Sequence, residues 1–197
     1  DETTELALLE VIRGQVPDGY KLTSVAARNH QMEQDSKAGL RVLLPITVGL
    51  VCLILIAALR SLADFLICMV SLTSVSVISF GVFSLLDLQF SQLTFFAPVV
   101  IIVLAIDYAI HLILRYNEYR RNGLEASAAM SNDIRFTGVA ILFSALTTIG
   151  GFGSNAVSKI PAITAFGLFL AMGMFISFLV MILFAPALKL LCVRAGQ

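Results

Sequence analysis

The stretch LAIDYAIHLILRYNEYRRNG, residues 104–123, sets an aspartate, Asp107, and a histidine, His111, inside an apolar run and closes that run with Arg115, Arg120 and Arg121. Traced backwards, the run begins near residue 93, so its apolar part covers about residues 93–114. About 20 such residues are what an α-helix needs to cross the hydrocarbon core of a bilayer. Four further runs of this kind lie at about 42–59, ended by Arg60, and at about 65–86, 136–153 and 160–188. The last is long enough to tilt or to extend past the bilayer. The expected architecture is an all-α polytopic membrane helix bundle of five transmembrane helices.

Composition points the same way. Of 197 residues, 58% are hydrophobic and 13% charged, with a mean hydropathy of +0.93, against roughly 45–50% apolar and about 25% charged in soluble domains. Thirteen Lys and Arg balance thirteen Asp and Glu at a pI near 6.9. With no basic surplus, no nucleic-acid partner is expected. Twelve charges fall in residues 1–41 and another twelve in 42–188, which divides the chain into a short polar segment, 1–41, and a transmembrane domain, 42–190. Cys52, Cys68 and Cys192 have no paired spacing, so neither a disulfide framework nor a zinc site is expected. The opening DETTELALLE is acidic and has neither a basic n-region nor a Met, unlike a signal peptide. It reads as the interior of a longer protein.

The connections set an orientation. Arg60 to Asp64 leaves room only for a tight turn. Residues 115–135, with Arg115, Arg120, Arg121 and Arg135 at helix-compatible spacing, are expected to form an amphipathic helix at the membrane surface. Together with Arg60, Lys189 and Arg194 these place seven cations on one side, against Lys159 and, ahead of the first span, Lys37 and Arg41 on the other. The positive-inside rule puts the arginine-rich connection and the C-terminus in the cytoplasm and residues 1–41 outside. Those residues are expected to be a short α/β extracytoplasmic remnant: a helix over 3–13, a turn at Pro17-Asp18-Gly19, a strand over 20–25 and a helix leading into the membrane. So short a piece builds no core of its own and needs a part of the protein to pack on.

Asp107 is the one acid inside the apolar runs. A charged Asp at the centre of a membrane helix costs about 2.5–3.5 kcal/mol on insertion scales, so such residues face a polar interior and mark ion or proton pathways, unless they serve helix packing. By rise per residue, Ser144 on the antiparallel fourth span stands at a similar depth. Ser144, Thr147 and Thr148 fall at i, i+3 and i+4 and make a hydroxyl stripe, suited to relaying a proton or to packing helices. His111 lies one turn after Asp107 on the same face, where it either shares a proton with the carboxylate or reaches toward the headgroups. Gly150, Gly151, Gly153, Gly167 and Gly173 allow close helix contact or bending. Pro98 is expected to kink the third span about two turns before Asp107, and Pro161 to open the fifth. His30 and His111 lie at different depths, and with no nucleophile elbow, HExxH or CxxC motif there is no sign of a hydrolase or a metalloenzyme, nor of a cofactor.

The string at 104–123, followed by SALTTIGGFGSNAVSKIPAITAFGLFLAMGMFISFLVMILFAPAL at 144–188, resembles the second half of a membrane domain of the RND superfamily, in its branch of MMPL-type predicted exporters, related to sterol-sensing-domain proteins and hopanoid transporters. The similarity covers about residues 37–190, and the Asp107-Tyr108 pair is its most specific element. It implies a six-span repeat with a large extracytoplasmic domain after its first span, of which this chain would hold the second to sixth spans and the end of that domain. It also implies that Asp107 is the proton-coupling acid, that Tyr108 supports it, and that the chain sits in a bacterial cytoplasmic (inner) membrane. One departure is Ala105, where the family often has Gly.

The expected function is therefore that of a proton-driven exporter of lipids or other hydrophobic molecules, a secondary active transporter and not an enzyme. Expected partners are membrane lipids, a lipidic substrate, and a second repeat half or other protomers. The alternatives are a sterol-sensing-type lipid-binding or regulatory module without proton flux and, further off, a protein-translocation accessory sharing the superfamily fold.

Overall fold

A computed structural model describes residues 25–85 and 93–195. The chain divides into two compact units, residues 1–42 and 43–197. Every element among the described residues is helical. The α/β remnant expected at the N-terminus is not supported: its helix 3–13, its turn and residues 20–24 of its strand lie outside the described residues, and Val25, the expected strand end, opens a helix instead.

The helices are α1 (Val25–Leu59), α2 (Leu62–Leu85), α3 (Ala97–Arg121), α4 (Ala126–Gly153), α5 (Pro161–Leu179) and α6 (Ala185–Ala195). A 3₁₀ turn, Leu93–Phe96, leads into α3; another, Ser154–Val157, follows α4; and a π turn, Val180–Phe184, joins α5 to α6. Among the described residues, five helical stretches are long and apolar enough to cross a membrane: Ala38–Leu59, Leu62–Leu85, Leu93–Arg121, Ala126–Val157 and Pro161–Arg194. The third and fourth run well past the apolar limits read from the sequence. Hydropathy marks only the part of a helix that sits in hydrocarbon, whereas backbone hydrogen bonding carries it further. Residues 115–121 and 126–135, expected in a surface helix, are the last turns of α3 and the first of α4.

The breaks follow from local chemistry. Arg60 ends α1 at φ +51°, and Ser61 starts α2 by accepting the Asp64 backbone N–H on its hydroxyl at 3.5 Å. Between α3 and α4, Gly123 takes φ +87°, and the N–H groups of Gly123 and Leu124 close back on the carbonyls of Arg120 and Tyr119 at 3.1 and 3.2 Å. Pro161 begins α5, as expected. Pro98, however, does not kink the third span: it occupies the first turn of α3, where an α-helical N–H has no partner to lose. Pro186, in the first turns of α6, has no N–H to donate, and the π turn ahead of it takes up the misfit.

Lipid tails are as apolar as Leu, so helices in a membrane are held by close packing more than by exclusion of water. The core lies where α2, α3 and α5 meet. Phe83 and Phe169 are buried there edge to face, ring centroids 4.3 Å apart. Gly173 brings α5 against α3 so closely that a Cβ would overlap the Ile101 side chain, and Gly167 packs on Asn155 and the Phe152 carbonyl. Gly150, Gly151 and Gly153 face open space instead and make no close contact. On α2, the hydroxyls of Thr73, Ser74 and Ser76 donate to carbonyls one turn back, at 2.8, 2.8 and 3.2 Å, which satisfies them without water. Large apolar side chains such as Ile46, Leu53, Val139 and Phe143 remain exposed on α1 and α4, as suits helices bathed in lipid or covered by further protein.

Candidate functional site

Asp107 stands at the midpoint of the Leu93–Arg121 span, fourteen residues from either end. At about 1.5 Å per residue that is roughly 21 Å along the helix axis from each. Its partner is on the same helix: His111 Nε2 is 3.2 Å from Asp107 Oδ1, as the i, i+4 spacing allows. Among the described residues no helix covers the pair, whose side chains are 66% and 65% exposed. The two side chains are within ion-pair distance when the imidazole is charged.

Tyr108, the next residue, is rotated by about 100° and points inward. It is 3% exposed, and its hydroxyl comes within hydrogen-bonding reach of Ser144 and Thr148 on α4. The Thr148 hydroxyl also donates to the Ser144 carbonyl at 2.8 Å. Thr147 is turned elsewhere and spends its hydroxyl on the carbonyls of Ser144 and Phe143, at 2.8 and 3.1 Å. The structure thus brings Asp107 together with His111, and Tyr108 together with Ser144 and Thr148. It is the phenol, not the carboxylate, that meets the hydroxyl stripe. The two groups are joined through consecutive residues of one helix.

A second polar cluster went unnoticed in the sequence. Asp64, in the first turn of α2 and only 2% exposed, pairs with Lys189 of α6, itself 12% exposed. Asn117 of α3 donates to the other carboxylate oxygen of Asp64 at 2.7 Å, and the Lys189 ammonium lies 5.3 Å from the centre of the Tyr116 ring. Three helix ends are tied at one point. Asp133, on α4, is also fully buried, so among the described residues the acids enclosed by the helices are Asp64 and Asp133, not Asp107. The usable signal was positional: Asp64, Asn117 and Lys189 all fall at the arginine-rich ends of their spans.

The sequence profile described as the MMPL family matches residues 10–196. The chain belongs to the MMPL family. Two relatives are named only as membrane proteins: one from Methanocaldococcus jannaschii, 32% identical over 108 residues, which are 55% of this MMPL chain and 28% of that protein, and one from Streptomyces coelicolor, 32% identical over 105 residues, 53% of this chain and 12% of that protein. The MMPL chain thus matches less than a third of either relative's length. Membership of the family agrees with the five membrane-crossing helices: this is an integral membrane protein.

Proposed function

We propose that this MMPL chain is part of a proton-driven exporter of lipids or other hydrophobic molecules, with Asp107 as the group that takes up and releases the proton. The observation that carries this reading is the Asp107–His111 pair at mid-span, 3.2 Å apart and open on one side. An ionised Asp exposed to hydrocarbon costs about 2.5–3.5 kcal/mol, so a second repeat half or another protomer covers that face in the assembled protein. Protonation removes the charge, and a difference of that size between an arrangement that covers the acid and one that exposes it is enough to shift a two-state equilibrium about a hundredfold. Tyr108, held between the acid's helix and the Ser144–Thr148 hydroxyls, transmits the change to α4. In the orientation expected from the positive-inside rule, the Lys189 end of the bundle is cytoplasmic.

The test is transport by the full-length protein in liposomes under an imposed pH gradient. Asp107→Asn should abolish proton-coupled transport while membrane insertion and folding persist, and transport retained by that variant sinks the proposal. A wild-type protein that binds lipid but moves no protons would instead favour a sterol-sensing-type module.

A further inference from the structure

The arginine-rich end of the bundle holds an open cavity of about 500 Å³ whose lining includes Arg60, Asp64, Asn117, Arg120, Arg121 and Lys189. Its volume lies within the range of small-molecule sites. Four cations meet one carboxylate there, and that carboxylate is already engaged by Lys189 and Asn117. Three guanidinium groups are left. All three arginines are exposed, and among the described residues none of them pairs with an acid. Arg120 spends one Nη1 N–H on the Leu124 carbonyl at 2.8 Å and keeps its other donors. A guanidinium has five N–H donors in a planar fork that fits phosphate oxygens two at a time. Three such groups around one cavity repel one another until an anion enters.

Arg60 supplies an independent observation. It sits at φ +51°, in the left-handed region where a side chain is strained and glycine is not. The turn between α1 and α2 therefore carries an arginine at the one position where glycine would fit without strain, and that arginine lines the cavity. Its place along the chain indicates the source of the anion. Leu59 closes the first span, and the apolar surface of the second begins at once with Leu62, which is exposed. The cavity thus lies at headgroup depth, where basic pockets between spans meet lipid phosphates.

We propose that this cavity binds the phosphate of an anionic phospholipid headgroup, drawn from the leaflet on the arginine-rich side, with Arg60, Arg120 and Arg121 as its ligands. The buried Asp64–Lys189–Asn117 cluster holds together the helix ends that carry those arginines. The proposal rests on membrane placement alone and is independent of proton coupling.

The test uses the full-length protein in nanodiscs of phosphatidylcholine with and without phosphatidylglycerol, reading retained lipid by native mass spectrometry and the melting temperature. Wild-type protein should retain phosphatidylglycerol preferentially and melt higher with it. Arg60→Gly relieves the strained backbone, so it should fold at least as well as wild type yet lose about fivefold in that preference, with a similar further loss for each of Arg120→Gln and Arg121→Gln. Equal retention by wild type and the triple variant overturns the site. If inorganic phosphate displaces phosphatidylglycerol and raises the melting temperature in phosphatidylcholine discs, the cavity takes a soluble anion and the lipid assignment falls.

Discussion

Lys189→Met isolates the buried pair at the ends of α2 and α6. Methionine keeps the length and apolar stem of lysine and removes only the ammonium. Were the pair on the surface, its loss would cost about 0–1 kcal/mol, but Asp64 is 2% and Lys189 12% exposed. Breaking a pair so enclosed strands a carboxylate, at about 3–5 kcal/mol. Asn117 still donates to Asp64, a hydrogen bond to a charged group that contributes about 1.5–3 kcal/mol, so the expected loss is at the low end, about 3 kcal/mol. Asp64→Leu should cost less, since Lys189 is long enough to turn toward water, and the double variant should regain most of the loss because an apolar pair has nothing to desolvate. The cycle is read from reversible unfolding of the full-length protein in detergent, with an expected coupling of at least about 2 kcal/mol. A coupling below about 0.5 kcal/mol, the figure for an exposed pair, refutes the reasoning.

Gly173→Val and Gly151→Val should behave oppositely: the first drives a side chain into Ile101 and lowers stability by about 1–3 kcal/mol, with Ile101→Ala restoring part of it, whereas the second enters open space and leaves unfolding within about 0.5 kcal/mol of wild type. Tyr108→Phe removes the hydroxyl that faces Ser144 and Thr148 and leaves the Asp107–His111 pair in place; stability should fall by about 0.5–1.5 kcal/mol, and proton-coupled transport should drop while substrate binding is kept. Transport at the wild-type rate in that variant would remove Tyr108 from the coupling path.

The five spans were legible because bilayer thickness imposes a length that any sequence must meet. Their ends were not, since α3 and α4 continue as helices beyond the apolar residues that reveal them. Level along the helix axes was partly legible: counting residues sets Ser144 opposite Asp107, and Ser144 lies beside Tyr108, the next residue. Angle about the helix axis was not. A step of one residue turns the helix by about 100°, and it is Tyr108, not Asp107, that faces α4. The same limit explains Asp64 and Lys189. Their separation of 125 residues hides a pairing that needs the lateral order of helices, although Asp64 ends the turn that begins at Arg60 and the sequence puts Arg60 and Lys189 on one side. Pro98 failed as a kink because the 3₁₀ turn at Leu93–Phe96 starts the span outside α3 and leaves the proline in the first α-helical turn.

The π turn at Val180–Phe184 has a mechanical consequence. A π turn holds about one residue more than an α turn, so returning it to α geometry would rotate everything beyond it by about 100°. Lys189 would swing off Asp64, and Pro186 would meet the carbonyl four residues back. The C-terminal helix is therefore keyed like a shaft, its rotational setting held on one side by a missing N–H and on the other by an ion pair.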